Sequence, residues 1–152
     1  MDGEVVERET ALALRSNIQA LEQHLLTCVQ AEMPLRHFFA KGLYARELTI
    51  PKNCVLTGAI HKHQHVNVIV KGDITVATEH GLKRIQAPYV MISEPGTKRA
   101  GFAHEDTIWI TVHAAEATTP EAAELELVTN DFADYERFIE AQQCLLRSPE
   151  QS

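Results

Sequence analysis

Histidine is the residue type whose number and spacing first indicate chemistry in this sequence. Eight of the 152 residues are histidines, and His61, His63 and His65 fall within five positions. In an extended strand the side chains alternate between two faces, so we expect these three histidines and Asn67 to share one face. Same-face neighbours lie about 7 Å apart, and two imidazoles at that spacing can lean onto one ion at about 2.0–2.1 Å. The pattern permits a metal site, and a polar strand edge that faces solvent is the alternative.

The other reactive residue types narrow the kind of site. Imidazole nitrogens suit zinc, iron, nickel and copper. The three cysteines, Cys28, Cys54 and Cys144, are widely spaced. We therefore expect buried free thiols, with neither a disulfide framework nor a structural zinc site of the cysteine type. The sequence also lacks a glycine-rich phosphate loop, a GxSxG motif and a Cys–His pair of known spacing, so it indicates no nucleophilic catalyst.

Short β-type segments surround the histidines and are expected to position them. Apolar and β-branched runs alternate with turns marked by glycine, proline, asparagine or aspartate. The expected strands are residues 43–50, 55–60, 66–70, 74–78, 82–85, 89–93 and 107–113. Such closely spaced strands are typical of an antiparallel sandwich or barrel. Residues 114–124, rich in alanine and threonine, are interpreted as an exposed connection.

One amphipathic helix is expected on each side of the strands. From about residue 9 to residue 30, apolar residues recur every three or four positions, and this stripe consists of Leu14, Ile18, Leu21 and Leu25. The proline at position 34 prevents the helix from continuing. Because the stripe is too apolar to face water, we expect it to pack on the body of the protein or on a second subunit. A C-terminal helix is expected from a cap at Asn130 or Asp131 to Ser148-Pro149.

Several of these residues together carry a resemblance to a known family. The residues that carry it are Gly58, His61, His63, His65, Lys71-Gly72-Asp73, Pro95-Gly96 and the strand 107–113. Their order resembles the two half-motifs of a cupin, which is a jelly-roll barrel. Residues 34–113, about half of the chain, more closely resemble a group of small phage and prophage proteins with RmlC-like, cupin-like barrels. The resemblance implies a mainly β fold, a cupin-like antiparallel β-barrel with N-terminal and C-terminal flanking helices, and a phage origin. It implies no particular reaction.

The sequence departs from the cupin pattern at the ligand positions. A cupin has a glutamate five positions after its second histidine, and here that position is Val68 or Val70. The histidine expected three positions after the turn glycine falls on Arg99 if Gly96 is that glycine. By the resemblance, the metal ligands are expected to be His61, His65 and His113, with His63 and His104 as alternatives. Such an all-histidine site with an open position suits a catalytic divalent ion (Zn, Fe, Ni or Mn) better than a structural one.

Four further residues are candidates for binding a small molecule. Lys98 and Arg99 follow the Pro-Gly turn and could clamp a carboxylate or phosphate, because a guanidinium offers a planar fork of donors. Exposed turn charges are the alternative interpretation. Tyr44 and Trp109 could line a cavity or belong to the core. The pair Arg46-Glu47 is interpreted as an ordinary cross-strand charge pair.

Composition limits the class of protein. A chain of 17.0 kDa is expected to form one domain, with an N-terminal helix (1–33), a cupin-like barrel (34–128) and a C-terminal helix (129–152). The net charge of −7 disfavours nucleic-acid binding. No run of about 18 apolar residues occurs, so no membrane span is expected. The acidic start is unlike a signal peptide, so we expect a cytoplasmic location, in the host if the protein is phage-encoded.

These features favour a metal-binding, cupin-like small-molecule protein, which could be a metal-dependent enzyme of unknown reaction. One alternative is a non-catalytic module that binds or sequesters a metabolite or nucleotide, which needs a cavity but no metal. Another is a structural or oligomeric phage accessory protein. The small molecule is expected to be anionic. A homodimer is expected because Val66, Val68 and Val70, opposite the histidines, need cover.

Overall fold

The computed structural model describes residues 2–147, which contain three helices and eleven strands. The helices are α1 (Asp2–Leu25), α2 (Pro120–Leu127) and α3 (Phe132–Arg147). The strands are β1 (Leu35–Ala40), β2 (Leu43–Ile50), β3 (Val55–Thr57), β4 (Ile60–His61), β5 (His65–Lys71), β6 (Asp73–Thr78), β7 (Gly81–Gln86), β8 (Tyr89–Ser93), β9 (Ala100–Ala103), β10 (Thr107–Ala114) and β11 (Val128–Thr129). No helix within 2–147 has both the length and the apolar content needed to cross a membrane.

The strands form two main antiparallel sheets. One has five strands in the order β1-β2-β10-β5-β8, and the other has four in the order β3-β9-β6-β7. The short strands β4 and β11 pair with each other. Across residues 2–147 the sheets do not join into one closed ladder. The mainly β fold with flanking helices is therefore confirmed, whereas closure into a barrel stays a prediction.

The hydrophobic core lies between the two main sheets. Ile50 and Ile69 come from the five-stranded sheet, and Ile74 and Ile85 come from the four-stranded sheet. Each is at most 2% exposed. Burying an aliphatic side chain of this size contributes about 1.5–3 kcal/mol. These contacts hold the inner faces of the sheets together and thereby fix which strand residues face inward.

Most predicted strands are present with nearly the expected bounds. β2 and β8 match their predictions, and β5, β6, β7 and β10 exceed theirs by one residue at one or both ends. The predicted strand 55–60 is divided into β3, which pairs with β9, and β4, which pairs with β11. β1 was not predicted because it is exposed along its whole length and so shows no alternation of apolar residues.

Helix α1 packs on its own chain. It contacts β3 and β6, and Ile18 from its apolar stripe is 5% exposed. Of the two expected partners, the structure therefore shows the body of the protein. The helix ends at Leu25, about five residues earlier than predicted. The Thr27 hydroxyl donates to the His24 carbonyl, and the Gln30 side chain donates to the Leu25 carbonyl. These hydrogen bonds give partners to two carbonyl groups at the C-terminal end of the helix.

Helix α2 corrects the interpretation of residues 114–124 as an exposed connection. Thr119 caps the helix, since its side chain accepts a hydrogen bond from the Ala122 amide, and Pro120 occupies the first turn. Ala123 and Leu127 are 1% and 2% exposed, respectively. A threonine followed by a proline was the signal for this helix start, and the alanine-rich composition obscured it.

Helix α3 begins where the sequence indicated. Asp131, one of the two predicted caps, accepts a hydrogen bond from the Ala133 amide at 2.8 Å. The predicted end at Ser148-Pro149 lies outside the described residues. The expectation of buried thiols is wrong for Cys28 and Cys144, which are exposed because they lie just after α1 and on the solvent side of α3.

Candidate functional site

Three histidines meet on the inner side of the five-stranded sheet. His61 ends β4, His65 begins β5, and His113 lies on β10. The ring centroids of His61 and His65 are 4.1 Å apart, those of His65 and His113 are 4.4 Å apart, and those of His61 and His113 are 5.0 Å apart. One nitrogen from each ring lies within 4.8 Å of the other two. The histidines expected from the resemblance thus form one cluster.

A break in the strand brings His61 and His65 together. In a continuous strand, residues four apart are about 13 Å apart. Residues 62–64 leave the ladder between β4 and β5, so the two rings can stack. His63 lies in this break and is exposed, with its ring edge on Phe138 at 5.3 Å between centroids. His63 therefore does not share the inner face, whereas Asn67, which is 1% exposed, does.

The three imidazoles are neutral at pH 7. Burial, reinforced by the charges of His65 and His113, lowers the pKa of His61 to about 2. Burial, reinforced by His65 and His63, lowers the pKa of His113 to about 4. Burial also lowers the pKa of His65. Metal ligands must be deprotonated, so these rings already have the protonation state that a metal ion requires.

Two ring nitrogens of the cluster are buried without a hydrogen-bond partner. The Nδ1 of His65 lies 3.1 Å from the His63 carbonyl, which can only accept, so Nδ1 carries the proton and Nε2 keeps its lone pair. His65 Nε2 and His113 Nδ1 have no hydrogen-bond partner among residues 2–147. A buried polar atom without a partner costs about 1–3 kcal/mol. The lone pair of His65 Nε2 is therefore available to a metal ion.

The donor set fits a transition metal ion. His61 Nδ1 and His113 Nε2 are 3.1 Å apart. Two nitrogens that each lie about 2.1 Å from one ion are about 3.0–3.4 Å apart at octahedral or tetrahedral angles. No carboxylate joins the group in the part of the chain that the structure describes. Val68 and Val70 occupy the two positions where a cupin would have its glutamate, and a valine side chain has no oxygen to offer. Val70 also faces outward and is 47% exposed.

A cavity of about 470 Å³ opens beside the histidines. Strand register arranges its wall in rows, because inward side chains of neighbouring strands face one another. The row that contains His113 also contains Tyr44, the next row contains Arg46, Thr111 and Asn67, and the following row contains Leu48 and Trp109. The wall thus changes from metal-ligating to polar to apolar with distance from the histidines.

A hydrogen-bonded chain joins the polar and apolar rows. The Trp109 indole N–H donates to Asn67 Oδ1 at 2.9 Å, and Asn67 Nδ2 donates to Ser93 Oγ at 2.6 Å. The Arg99 guanidinium also donates to Ser93 Oγ. Asn67 and Ser93 are each 1% exposed. Both ends of the Asn67 amide are used, so the chain fixes the orientation of Trp109 and Arg99.

Tyr44 is held at the cavity by its neighbours on β1. Its hydroxyl lies 2.6 Å from His37 Nδ1, and its ring stacks on Phe39 with centroids 4.8 Å apart. Burial raises the pKa of Tyr44, so the hydroxyl is protonated at neutral pH. Tyr44 and Trp109, both predicted as ligand-binding residues, line the cavity.

Two other candidates lie away from the histidine cluster. The Lys98 ammonium donates to Glu22 Oε2 of α1 at 2.7 Å and to the Gly58 carbonyl at 2.9 Å. His104 Nε2 lies 2.7 Å from Thr75 Oγ1 on the four-stranded sheet. Lys98 therefore fastens α1 to the body of the protein, and His104 belongs to the other sheet.

Arg46 is the cavity residue that the sequence analysis placed elsewhere. The cross-strand partner of Glu47 is Arg36, at 3.2 Å. Arg46, one position earlier, faces the opposite side and lines the cavity. The available signal was the alternation along β2, because Tyr44, Arg46 and Leu48 share a face at a period of two.

Comparison with solved structures places cupins among the proteins that resemble this chain. An RmlC-like cupin from Shewanella frigidimarina NCIMB 400 has 18% sequence identity and a TM-score of 0.49, over 59% of this chain and 82% of that chain. A cupin superfamily protein from Desulfitobacterium hafniense DCB-2 has 4% identity and a TM-score of 0.49, over 59% and 83% of the two chains. A Neisseria meningitidis protein has 14% identity and a TM-score of 0.48, over 62% and 96%.

No protein-family model and no curated protein matches the sequence.

Proposed function

We propose that this chain is a metal-binding protein of the cupin type that holds one divalent transition metal ion on His61, His65 and His113 beside a small-molecule cavity. The observation that carries this proposal is that one ring nitrogen from each of these histidines lies within 4.8 Å of the other two. The buried His65 Nε2 has no hydrogen-bond partner among residues 2–147. The three imidazoles are neutral, which is the state that metal binding requires.

The donor types favour some of the candidate metals over others. Zinc, iron and nickel accept imidazole readily, whereas manganese prefers oxygen ligands, and no carboxylate joins the cluster within residues 2–147. We therefore place zinc, iron and nickel ahead of manganese. When bound, the ion would polarise a ligand or lower the pKa of a coordinated water.

The chain's own residues give the cavity a fixed wall. Asn67 orients Trp109, and His37 orients the Tyr44 hydroxyl. Side chains that are already held in place by hydrogen bonds, such as Trp109 and Tyr44, contact a ligand with little further loss of side-chain freedom. Binding is the function that this geometry supports, and a metal-dependent enzyme of unknown reaction is one form of it. A sequestering module that uses the cavity without the ion is the alternative, and a structural phage accessory protein is the third.

A homodimer belongs to the same proposal. The outer face of β5 and β8 exposes Val66 (37%), Val70 (47%), Val90 (63%) and Ile92 (61%). Helix α1 cannot cover this face, because it packs on β3 and β6. A second copy could cover it by two-fold pairing of the same face, since an apolar patch is complementary to itself. Phage origin and cytoplasmic location stay predictions.

Metal content of the untagged protein tests the proposed function. After growth in metal-replete medium, we expect about one equivalent of a transition metal per chain by elemental analysis. His61→Ala and His65→Ala should lose the metal and keep the far-ultraviolet circular dichroism of the wild type. His80→Ala is the matched control, because His80 lies in an exposed turn and its loss removes an imidazole from the surface only.

Two results would contradict the metal proposal. One is a wild-type protein with less than about a tenth of an equivalent that also binds no added zinc, iron or nickel in titrations. The other is a His80→Ala variant that loses as much metal as His61→Ala, which would place the ion on surface histidines.

A further inference from the structure

Two arginines line the same cavity as the histidines. Arg46 projects from β2 and Arg99 precedes β9, and both contribute to the cavity wall together with His61 and His113. Their charges both act on His61, since each helps to lower its pKa. Neither guanidinium forms an ion pair with a carboxylate in residues 2–147. The cavity wall therefore contains two guanidinium groups that no carboxylate of residues 2–147 contacts as an ion pair.

The Arg99 guanidinium is fixed with most of its donors unused. It donates one hydrogen bond to Ser93 Oγ, and it lies over the Trp109 ring with 6.0 Å between the guanidinium carbon and the ring centroid. A guanidinium has five N–H donors, so four have no acceptor among residues 2–147. Burial lowers the pKa of Arg99, yet a guanidinium remains protonated at neutral pH. The side chain presents a fixed, charged fork to the cavity.

Arg46 has no hydrogen-bond partner among the described residues. It lies in the row next to His113, level with Thr111 and Asn67, and its charge lowers the pKa of His113 as well as that of His61. Arg46 is half-buried, so it is less hydrated than an arginine on the protein surface. Its five donors are available to a ligand that enters beside the histidines.

The acidic side chains that line the cavity do not neutralise this pair. Glu121 and Glu124 of α2 also line the cavity, but both residues are exposed. Water and salt screen exposed charges strongly. A charge removed from water is costly unless it is paired with an opposite charge that also forms hydrogen bonds. An anionic ligand is the missing partner that would meet both conditions.

We propose that the cavity ligand carries a carboxylate or phosphate group, which the guanidinium groups of Arg46 and Arg99 bind together. This inference rests on the small-molecule cavity of the proposed function and does not require the metal ion. Both kinds of oxyanion accept two parallel hydrogen bonds from a guanidinium. The apolar row, which includes Leu48 and Trp109, would contact the rest of the ligand. The ligand class is therefore a small organic acid or phosphate ester with an apolar or planar body.

Four compounds of similar shape test the charge requirement: benzoate, phenyl phosphate, benzamide and benzylamine. Binding to the full-length protein is measured by isothermal titration calorimetry, first after removal of metal with EDTA and then after reloading with zinc. We expect benzoate or phenyl phosphate to bind the metal-free protein at least about tenfold more tightly than benzamide and benzylamine. The ratio of the two anions identifies which oxyanion the cavity prefers.

Arginine variants locate the binding. Arg46→Met and Arg99→Met should each weaken anion binding at least about tenfold. Arg36→Met removes the same charge from the neighbouring strand β1, outside the cavity, and should bind like the wild type. Arg46 has no hydrogen bond to lose, so Arg46→Met keeps the test valid if Arg99→Met does not fold. Arg99→Lys should recover only part of the affinity, because an ammonium lacks the planar fork.

The outcomes separate this inference from the metal proposal. Arginine-dependent anion binding by a protein that takes up no metal would support the anion site and contradict the metal site. A metal-loaded protein that binds benzamide as tightly as benzoate would contradict the anion site alone. Absence of binding by either anion at millimolar concentration, or equal weakening in Arg36→Met and Arg46→Met, would also overturn it.

Discussion

The ion pair between Lys98 and Glu22 should control how firmly α1 is attached. The Lys98 side chain is 2% exposed and the Glu22 side chain 20% exposed, and their charged atoms are 2.7 Å apart. Glu22→Gln keeps a similar shape and an oxygen that can accept a hydrogen bond, but it leaves the buried Lys98 ammonium without an opposite charge, with the Gly58 carbonyl as its other acceptor. Removing one member of a buried pair costs about 3–5 kcal/mol. Because Gly58 still accepts a hydrogen bond and Glu22 is partly hydrated, we expect a loss of about 2–3 kcal/mol in unfolding free energy.

Lys98→Met should cost less, about 1–2 kcal/mol. The Glu22 carboxylate then remains partly exposed, and it still accepts a hydrogen bond from Thr57 Oγ1 at 2.8 Å. In the double variant Glu22→Gln/Lys98→Met, the loss should be smaller than the sum of the two single losses, because neither charge is left alone. Benzoate binding should be unchanged in Lys98→Met, since Lys98 does not line the cavity.

Urea unfolding at pH 7.5 measures these differences with two probes. Circular dichroism reports the helices, and fluorescence of Trp109, the single tryptophan, reports the five-stranded sheet. If α1 detaches first, the helical signal of Glu22→Gln should change at lower urea than the fluorescence. A Glu22→Gln variant within about 0.5 kcal/mol of the wild type by both probes would refute this account of the ion pair.

Three further outcomes are expected. The metal-free protein should lose stability as the pH falls below 6.5, and His61 alone should account for about 2 kcal/mol of that loss at pH 5. The pKa of His61, about 2 in the folded protein, keeps the folded ring neutral, whereas the unfolded ring takes up a proton. An unfolding free energy in urea that does not fall between pH 7.5 and pH 5 would contradict this. Ile92→Lys should convert the expected dimer into a 17.0 kDa monomer in sedimentation experiments, and a wild type already monomeric at micromolar concentration would rule out the dimer. Gly72→Ala should lower the unfolding free energy by about 2–4 kcal/mol, since φ is +106° and the new Cβ would lie 2.4 Å from Thr107 Oγ1; a thermal midpoint equal to that of the wild type would contradict this.

Strand positions were predictable where one face is buried and the other is not. In β5, the buried residues His65, Asn67 and Ile69 alternate with the more exposed Val66, Val68 and Val70, so the sequence carries the period of two. β1 and β9 carry no such signal. β1 is exposed throughout, and β9 consists of small residues around Phe102. Local sequence predicts a strand only when burial imposes a pattern on it.

The helices show the same division between local and tertiary control. The apolar stripe of α1 predicted a helix, and the Thr119-Pro120 pair is a sequence signal for the start of α2. The alternatives for what covers the α1 stripe could not be separated from the sequence, because an apolar stripe matches any apolar surface. Long-range contacts decide it, and one of them joins Glu22 to Lys98, which is 76 positions away in the chain.

The sequence by itself determined that histidines at alternate positions precede a buried strand, and the resemblance to cupins then selected His61, His65 and His113. Only the tertiary structure decided which histidines meet. The break at residues 62–64 stacks His61 on His65 and turns His63 outward, and the pairing of β10 with β5 places His113 opposite them. Strand periodicity is a local property of the chain, whereas a strand break and a register between distant strands depend on which long-range contacts form. Arg46 follows the same rule, because its charge became informative only when the fold placed it in the same cavity as Arg99 and without an ion pair to any carboxylate of residues 2–147.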